Sequence, residues 1–279
     1  MSGNRDKIIA FNYFGGKFTY LEYLYANFPD NFTHLVDLFA GSFVVSLNYK
    51  GNVIKTANEI NCDITNFFEV LRNNESDLIR LLLLTPCSEQ EYNNCWEQST
   101  DKIEQARRFY VRVRQSFFGL GAQRKNKGWH MAKQHVNAHG GETVSRWNNA
   151  IEKLHEVAEI IRTHFQIING TYDNGIDRLD HKNCFFYCDP PYPLECRKSS
   201  NDYKFEFSND DHIALASKLH RIEGYAMVSG YDCNLLNELY SDWNKIKFPI
   251  RKNNIRSGDV QEVIWINYKN DNTNLFNQI

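Results

Sequence analysis

His34-Leu35-Val36-Asp37-Leu38-Phe39-Ala40-Gly41-Ser42 is a short apolar run ending in small residues, and the apolar stretch Phe43 to Leu47 follows at once. A run of this length reads as a buried strand; the glycine breaks it, and the stretch behind it reads as a helix. Further on, Asn52-Val53-Ile54-Lys55-Thr56-Ala57 reads as a second strand, ended by Asn58-Glu59-Ile60-Asn61. A helix carrying Ile64, Phe67, Phe68 and Leu71 comes next. Strand, helix and strand joined this tightly predict parallel pairing through a right-handed crossover.

Beyond residue 70 the rhythm changes. Leu78 to Leu84, Ile103 to Phe118 and Thr143 to Phe165 have helical spacing, whereas Gly119 to Gly141 is glycine-rich, basic and aperiodic. Alternation then resumes. Phe165 to Asn169, Cys184 to Cys188, Tyr225 to Ser229 and Glu262 to Tyr268 read as strands, and Asp210 to Leu219 as a helix. The expected fold is α/β, a doubly wound sheet built from residues 1–69 and 165–279, interrupted by a mostly helical insertion at 70–164.

The 279 residues, 42% hydrophobic and 24% charged, suit a folded domain with a core that needs no staples. The seven cysteines (62, 87, 95, 184, 188, 196 and 233) are odd in number and include no Cys-x-x-Cys pair. That pattern argues against a disulfide framework and a zinc site, so no metal is expected. The polar start, Met1 to Lys7, and the lack of a long apolar run point to a chain with no membrane partner, at home in a reducing cytoplasm. Net charge is -2, yet residues 102–133 carry nine Lys or Arg against the single acid Glu104. Such a segment is either a local field for phosphates or a solvated helix face, and charge alone leaves both open.

Asp189-Pro190-Pro191-Tyr192 follows directly on the strand Cys184 to Cys188, and in open α/β sheets ligands bind beyond the carboxyl ends of strands. Its residue types suit an exocyclic amine on an aromatic base, whose lone pair is delocalised and therefore weakly nucleophilic. Two acceptors aimed at the two N–H bonds would localise that pair: the Asp189 carboxylate and the Pro190 carbonyl. Successive prolines stiffen the loop and add no competing N–H. Tyr192 offers a ring for the base to stack on. A base in a duplex would have to leave the stack to reach such a loop.

With these motifs in order, the chain resembles the Dam-like (D12 class, alpha group) DNA adenine-N6 methyltransferases over nearly its whole length. Tyr13-Phe14-Gly15-Gly16-Lys17 is similar to the family's first cofactor motif, Asp37-Leu38-Phe39-Ala40-Gly41-Ser42 to its glycine loop, and Asn58-Glu59-Ile60-Asn61 to its second-strand acidic motif. Glu262 to Tyr268 resembles the closing strand. The resemblance implies a Rossmann-like S-adenosylmethionine-dependent methyltransferase sheet with a target-recognition insertion. It implies S-adenosyl-L-methionine as cofactor, contacted by Tyr13, Lys17, Asp37, Phe39, Gly41, Ser42, Glu59, Tyr172 and Asp189. Asp189, Pro190, Pro191 and Tyr192 would be the catalytic set. Glu59 has an independent reason to be there, since an acid ending the second strand can accept ribose hydroxyls.

Within the insertion, Phe117-Phe118-Gly119-Leu120 and Arg124-Lys125-Asn126-Lys127-Gly128-Trp129 are similar to the family's DNA-contacting hairpin. The resemblance assigns DNA binding to Phe117, Phe118, Arg124, Lys125, Lys127 and Trp129. A guanidinium such as that of Arg124 can grip guanine O6 and N7 together, while the lysines would hold phosphate. The implied partner is double-stranded DNA, bound by a monomer or weak dimer in a bacterial or phage-infected cell; the resemblance also allows a cognate restriction enzyme. Asn12 and Trp129-His130 depart from GATC-specific members, so GATC is not the expected target. Phe43 stands where the glycine loop usually has a second glycine, a departure expected to bear on cofactor affinity. Two other readings stand beside this one: a weakly active DNA-binding relic, and an RNA or protein-amide methyltransferase.

Overall fold

The computed structural model describes residues 7–13, 15–116, 128–132, 136–137, 140–197, 203–252 and 259–270. Seven strands make one mixed sheet: β1 (His34–Asp37), β2 (Ile54–Glu59), β3 (Phe165–Asn169), β4 (Cys184–Cys188), β5 (Tyr225–Tyr231), β6 (Asn244–Lys247) and β7 (Glu262–Ile266). Their order is β3-β2-β1-β4-β5-β7-β6. β1 pairs in parallel with β2 and β4, and β4 with β5, while β7 runs antiparallel between β5 and β6. This is a Rossmann-like arrangement whose strand order reverses beside β1, so the switch point lies between β1 and β4. The predicted parallel pairing of the first two strands is what forms.

The chain divides into two compact units. One comprises residues 19–40, 49–60 and 170–279. Here β4 shows why its sequence is apolar throughout: it is central, and both faces are covered. Cys184, Phe186 and Cys188 point into a core with Val36, Leu215, Leu219, Val228 and Trp265. Phe185 points the other way, edge-on to Phe28 with centroids 4.6 Å apart. Cys184 and Cys188 are thus small buried thiols. The helix Asn209–Leu219 begins with a capping box in which Ser208 and Asp211 satisfy each other's backbone N–H groups.

The other unit comprises residues 1–18, 41–48 and 61–169. Its centre is the pairing of helices Cys62–Asn73 and Lys102–Arg114, with Phe67 stacked on Tyr110 at 5.3 Å. Asp63 accepts from Arg112 at 3.0 Å and from Gln105 at 2.8 Å, so a buried guanidinium is matched by charge and hydrogen bonds together. The segment Thr143 to Phe165, whose spacing is helical, forms two helices, Glu142–Glu152 and Leu154–His164, which meet at Lys153. The helix expected over Ile103 to Phe118 stops at Arg114, where the Gln115 backbone leaves helical geometry.

Candidate functional site

The switch point collects the acidic strand ends. Asp37, the last residue of β1, is in register with Tyr187 of β4, so Asp189 stands two residues past the same level. Asp37 is buried and Asp189 half-buried. Ser229 on β5 donates to the Asp189 carboxylate at 2.8 Å and lies 3.2 Å from the Tyr187 hydroxyl. One carboxylate oxygen is thereby fixed by a rigid central strand, which orients the other. Burial pushes the Tyr187 hydroxyl well above the ordinary phenol range and the charge of Asp189 adds to the shift, so Tyr187 stays protonated beneath the carboxylate.

The proline loop is held from two sides. His212 donates through Nε2–H to the Pro191 carbonyl at 3.1 Å, the tautomer being set by a partner that can only accept. On the far side Tyr192 donates to Glu262 at 2.8 Å and meets the Tyr231 ring edge-on at 4.6 Å. Tyr192 is only 6% exposed, so it is a wall of the loop more than a surface platform. Burial raises its hydroxyl well above the phenol range, with Asp189 and Glu262 contributing, and it remains a donor.

Burial lowers His212 to a pKa of about 4 from its ordinary 6.5; Asp211 pulls it up and Arg197 pushes it down, both less than burial does. The folded state therefore favours the neutral ring. Its contribution to stability is intact above pH 6.5 and lost as pH falls from 6.5 toward 4, because the unfolded chain takes the proton first. Thermal melts should drift downward across that window, and His212→Gln should flatten the drift. An equal drift in the variant would assign it to other groups.

Beside Asp37, the Asn58 amide donates to the Leu38 and Gly170 carbonyls at 3.0 and 3.1 Å, tying the end of β1 to that of β2. Its Oδ1 is buried without a partner among the described residues. Glu59 follows at the strand end and is 6% exposed. Phe39 and Tyr172 stack at 5.8 Å, with Phe207 edge-on to both and also against the His212 ring at 4.7 Å. Ser229, Glu262, Phe207 and His212 do not stand out in the sequence. The one local signal is Glu262, an acid opening an otherwise apolar strand.

Tyr13, Lys17, Gly41 and Ser42 belong to the other unit. Gly41 has φ +51°, and a Cβ there would lie 2.9 Å from the Tyr13 ring, so the first motif and the glycine loop meet at a place only glycine fits. Asn48 clamps the approach: its side chain accepts from the Ile8 N–H at 2.7 Å and donates to the Ile8 carbonyl at 2.8 Å. Lys17 is 3% exposed and donates to the Gly15 carbonyl at 3.1 Å. Ser42 is buried, and Phe43 after it adopts φ +59° with its ring stacked 3.9 Å from Phe68.

The basic segment divides. Arg107 pairs with Glu91 and Glu104, Arg108 with Glu104, and Arg112 with Asp63, so these three cations are matched inside their own unit. Their charge cannot be counted toward a field for phosphate. Trp129 bridges to Ser116 and donates its indole N–H to Gln115 at 3.1 Å, which leaves only its ring for another partner. Phe117, Phe118, Arg124, Lys125 and Lys127 lie outside the described residues.

The chain is 25% identical over 277 residues to the type II methyltransferase M1.LlaDCHI of Lactococcus lactis subsp. cremoris, covering 92% of this chain and 94% of that one. It is 25% identical to the type II methyltransferase M.FokI of Planomicrobium okeanokoites, over 93% of this chain and 42% of the relative. It is 24% identical to a DNA N-6-adenine-methyltransferase of Escherichia phage P1, over 83% of this chain and 31% of the relative. With residues 13–255 matching the model of that family, the chain belongs to the D12 class N6 adenine-specific DNA methyltransferases, enzymes that move a methyl group from S-adenosylmethionine to adenine in DNA.

Proposed function

We propose that Asp189 and the Pro190 carbonyl receive the N6 amine of an adenine swung out of duplex DNA, and hold its two N–H bonds while the nitrogen attacks. The observation that carries this is the fixed carboxylate: Asp189 stands at the carboxyl end of β4, anchored by Ser229 at 2.8 Å, next in the chain to the Pro190 backbone carbonyl. Pre-set acceptors aimed at developing positive charge need no reorganisation during the reaction. Asp189 stabilises the ammonium-like nitrogen and can take its proton afterwards. Tyr192, fixed by Glu262, forms the wall against which the base lies.

The residues present fit S-adenosylmethionine. Phe39 and Tyr172 form a stacked pair able to pack on an adenine, and the Glu59 carboxylate ends β2 where ribose hydroxyls are received in such sheets. Asp37 borders the same strand end, and the lone Asn58 Oδ1 is an acceptor without a donor among the described residues. For Tyr13, Lys17, Gly41 and Ser42 the assignment rests on their match to the family's motifs. When bound, the cofactor supplies a methyl group activated by its sulfonium.

Residues 70–164 are assigned target recognition, with Phe117, Phe118 and the Trp129 ring against the duplex, Arg124 reading a base, and Lys125 and Lys127 on phosphate. The enzyme would act in the cytoplasm as a monomer or weak dimer. Among the described residues no helix is long and apolar enough to cross a membrane. Transfer of tritiated methyl to duplex DNA, RNA and protein tests the acceptor, and a 2-aminopurine at the target position tests extrusion. Label in duplex DNA with a fluorescence rise on binding is expected; label in DNA with no rise would remove base flipping. Changing Lys125 and Lys127 together to alanine should flatten the slope of log K against log salt by about 2. An unchanged slope would mean that neither faces phosphate.

A further inference from the structure

Among the described residues two clusters of metal-ligating side chains use none of the acidic strand-end residues: His34, His181 and Cys184, and Glu195, Cys196 and Cys233. The first is poorly suited to a cation. His34 already shares Nε2 with Thr56 at 2.7 Å, and burial pushes the fully enclosed Cys184 thiol up to about 12. The second is open and better arranged. Cys196 closes the 3-10 turn Leu194–Cys196, four residues past Tyr192, and Cys233 lies two residues past the end of β5. Both thiols are free and half-exposed. One ligand atom from each of Glu195, Cys196 and Cys233 lies within 4.8 Å of the other two. The Leu235 N–H donates to Glu195 Oε1 at 3.1 Å, which orients the carboxylate toward the sulfurs.

We propose that Glu195, Cys196 and Cys233 form a binding site for a divalent cation of the zinc class, fastening the segment behind the proline loop to the end of β5. Two sulfurs and a carboxylate are a donor set for borderline-soft cations, with Zn–S distances of about 2.3 Å. Ligand atoms in such a tetrahedron stand a little under 4 Å apart by that geometry, so small side-chain rotations close the present spacing. Binding displaces both thiol protons to solvent. The proximity is a product of the fold: the two cysteines are 37 residues apart and match no metal-binding spacing.

The test uses the reduced full chain, stripped by chelator and titrated with Co2+. One equivalent should produce a thiolate-to-cobalt charge-transfer band that Zn2+ erases. Cys196→Ser and Cys233→Ser should each abolish the band, Glu195→Gln should weaken Co2+ affinity about tenfold or more, and Cys184→Ser should leave it unchanged. In the wild-type chain, where folding of variants is not at issue, Zn2+ should protect Cys196 and Cys233 from alkylation while Cys62 still reacts. No band, a band that survives both serine variants, or unprotected thiols would overturn the proposal. So would a pair that takes no Co2+ but closes to a disulfide under mild oxidation, which would make it a redox element instead. None of these readouts depends on methyl transfer.

Discussion

Replacing Asp189 with alanine is expected to lower kcat by about 10²- to 10⁴-fold while DNA affinity changes little. The carboxylate lies at a strand end with one oxygen anchored by Ser229. What alanine removes is the acceptor that polarises the amine and meets charge on the nitrogen. Asp189→Asn is the sharper variant. It keeps the volume and an oxygen for Ser229 but replaces an anion with a neutral amide, so it should fall between wild type and alanine. Ser229→Ala should cost less than either, since it loosens the carboxylate without removing it. Single-turnover methyl transfer, read alongside DNA binding, checks the series. Alanine turnover near the wild-type rate would take Asp189 out of the chemistry.

Those expectations draw on parts of the molecule that are unequally legible in its sequence. β1 and the turn at Gly41 stand out because a strand buried on both faces favours an apolar run, and a glycine that breaks such a run marks a turn; β2, Ile-Lys-Thr-Ala-Asn-Glu, is buried despite its polar residues. Asp189 is equally plain, because it follows β4 without a gap. The groups that hold it are not. Ser229 is one small polar residue in a buried strand, His212 reaches Pro191 across 21 residues, and Glu262 reaches Tyr192 across 70. Only the strand order brings them together. β6 escapes a reading by hydrophobic pattern because Asn-Lys-Ile-Lys at a sheet edge is largely exposed, as edge strands that discourage further pairing tend to be. The basic segment misleads in the opposite direction. Its charge total is correct, but Glu91 and Asp63, which match Arg107 and Arg112, lie outside the segment and become their partners only through helix packing.

Phe43→Gly should destabilise the protein although it restores the residue that the glycine loop usually carries. The wild-type backbone at this position has φ +59°, a left-handed conformation that disfavours a side chain by about 1–2 kcal/mol. Glycine would relieve that strain. It would also delete a fully buried ring that lies 3.9 Å from Phe68 at 13° and nearly parallel to Phe165 at 6.1 Å. Removing a buried phenylalanine side chain costs about 3–5 kcal/mol, so the loss of packing exceeds the relief by about 2 kcal/mol. Phe43→Ala separates the two effects, because it loses the ring and keeps the strained backbone. The expected order of stability is wild type, then glycine, then alanine, with the two variants separated by roughly the 1–2 kcal/mol of left-handed strain. Denaturant melts give that order, and cofactor titration completes the test. If Phe43 acts through packing in its own unit, affinity for S-adenosylmethionine should change much less than stability does. A glycine variant more stable than wild type would mean that the ring stack is weaker than the strain it imposes; a large rise in affinity at unchanged stability would make Phe43 a modulator of the cofactor loop.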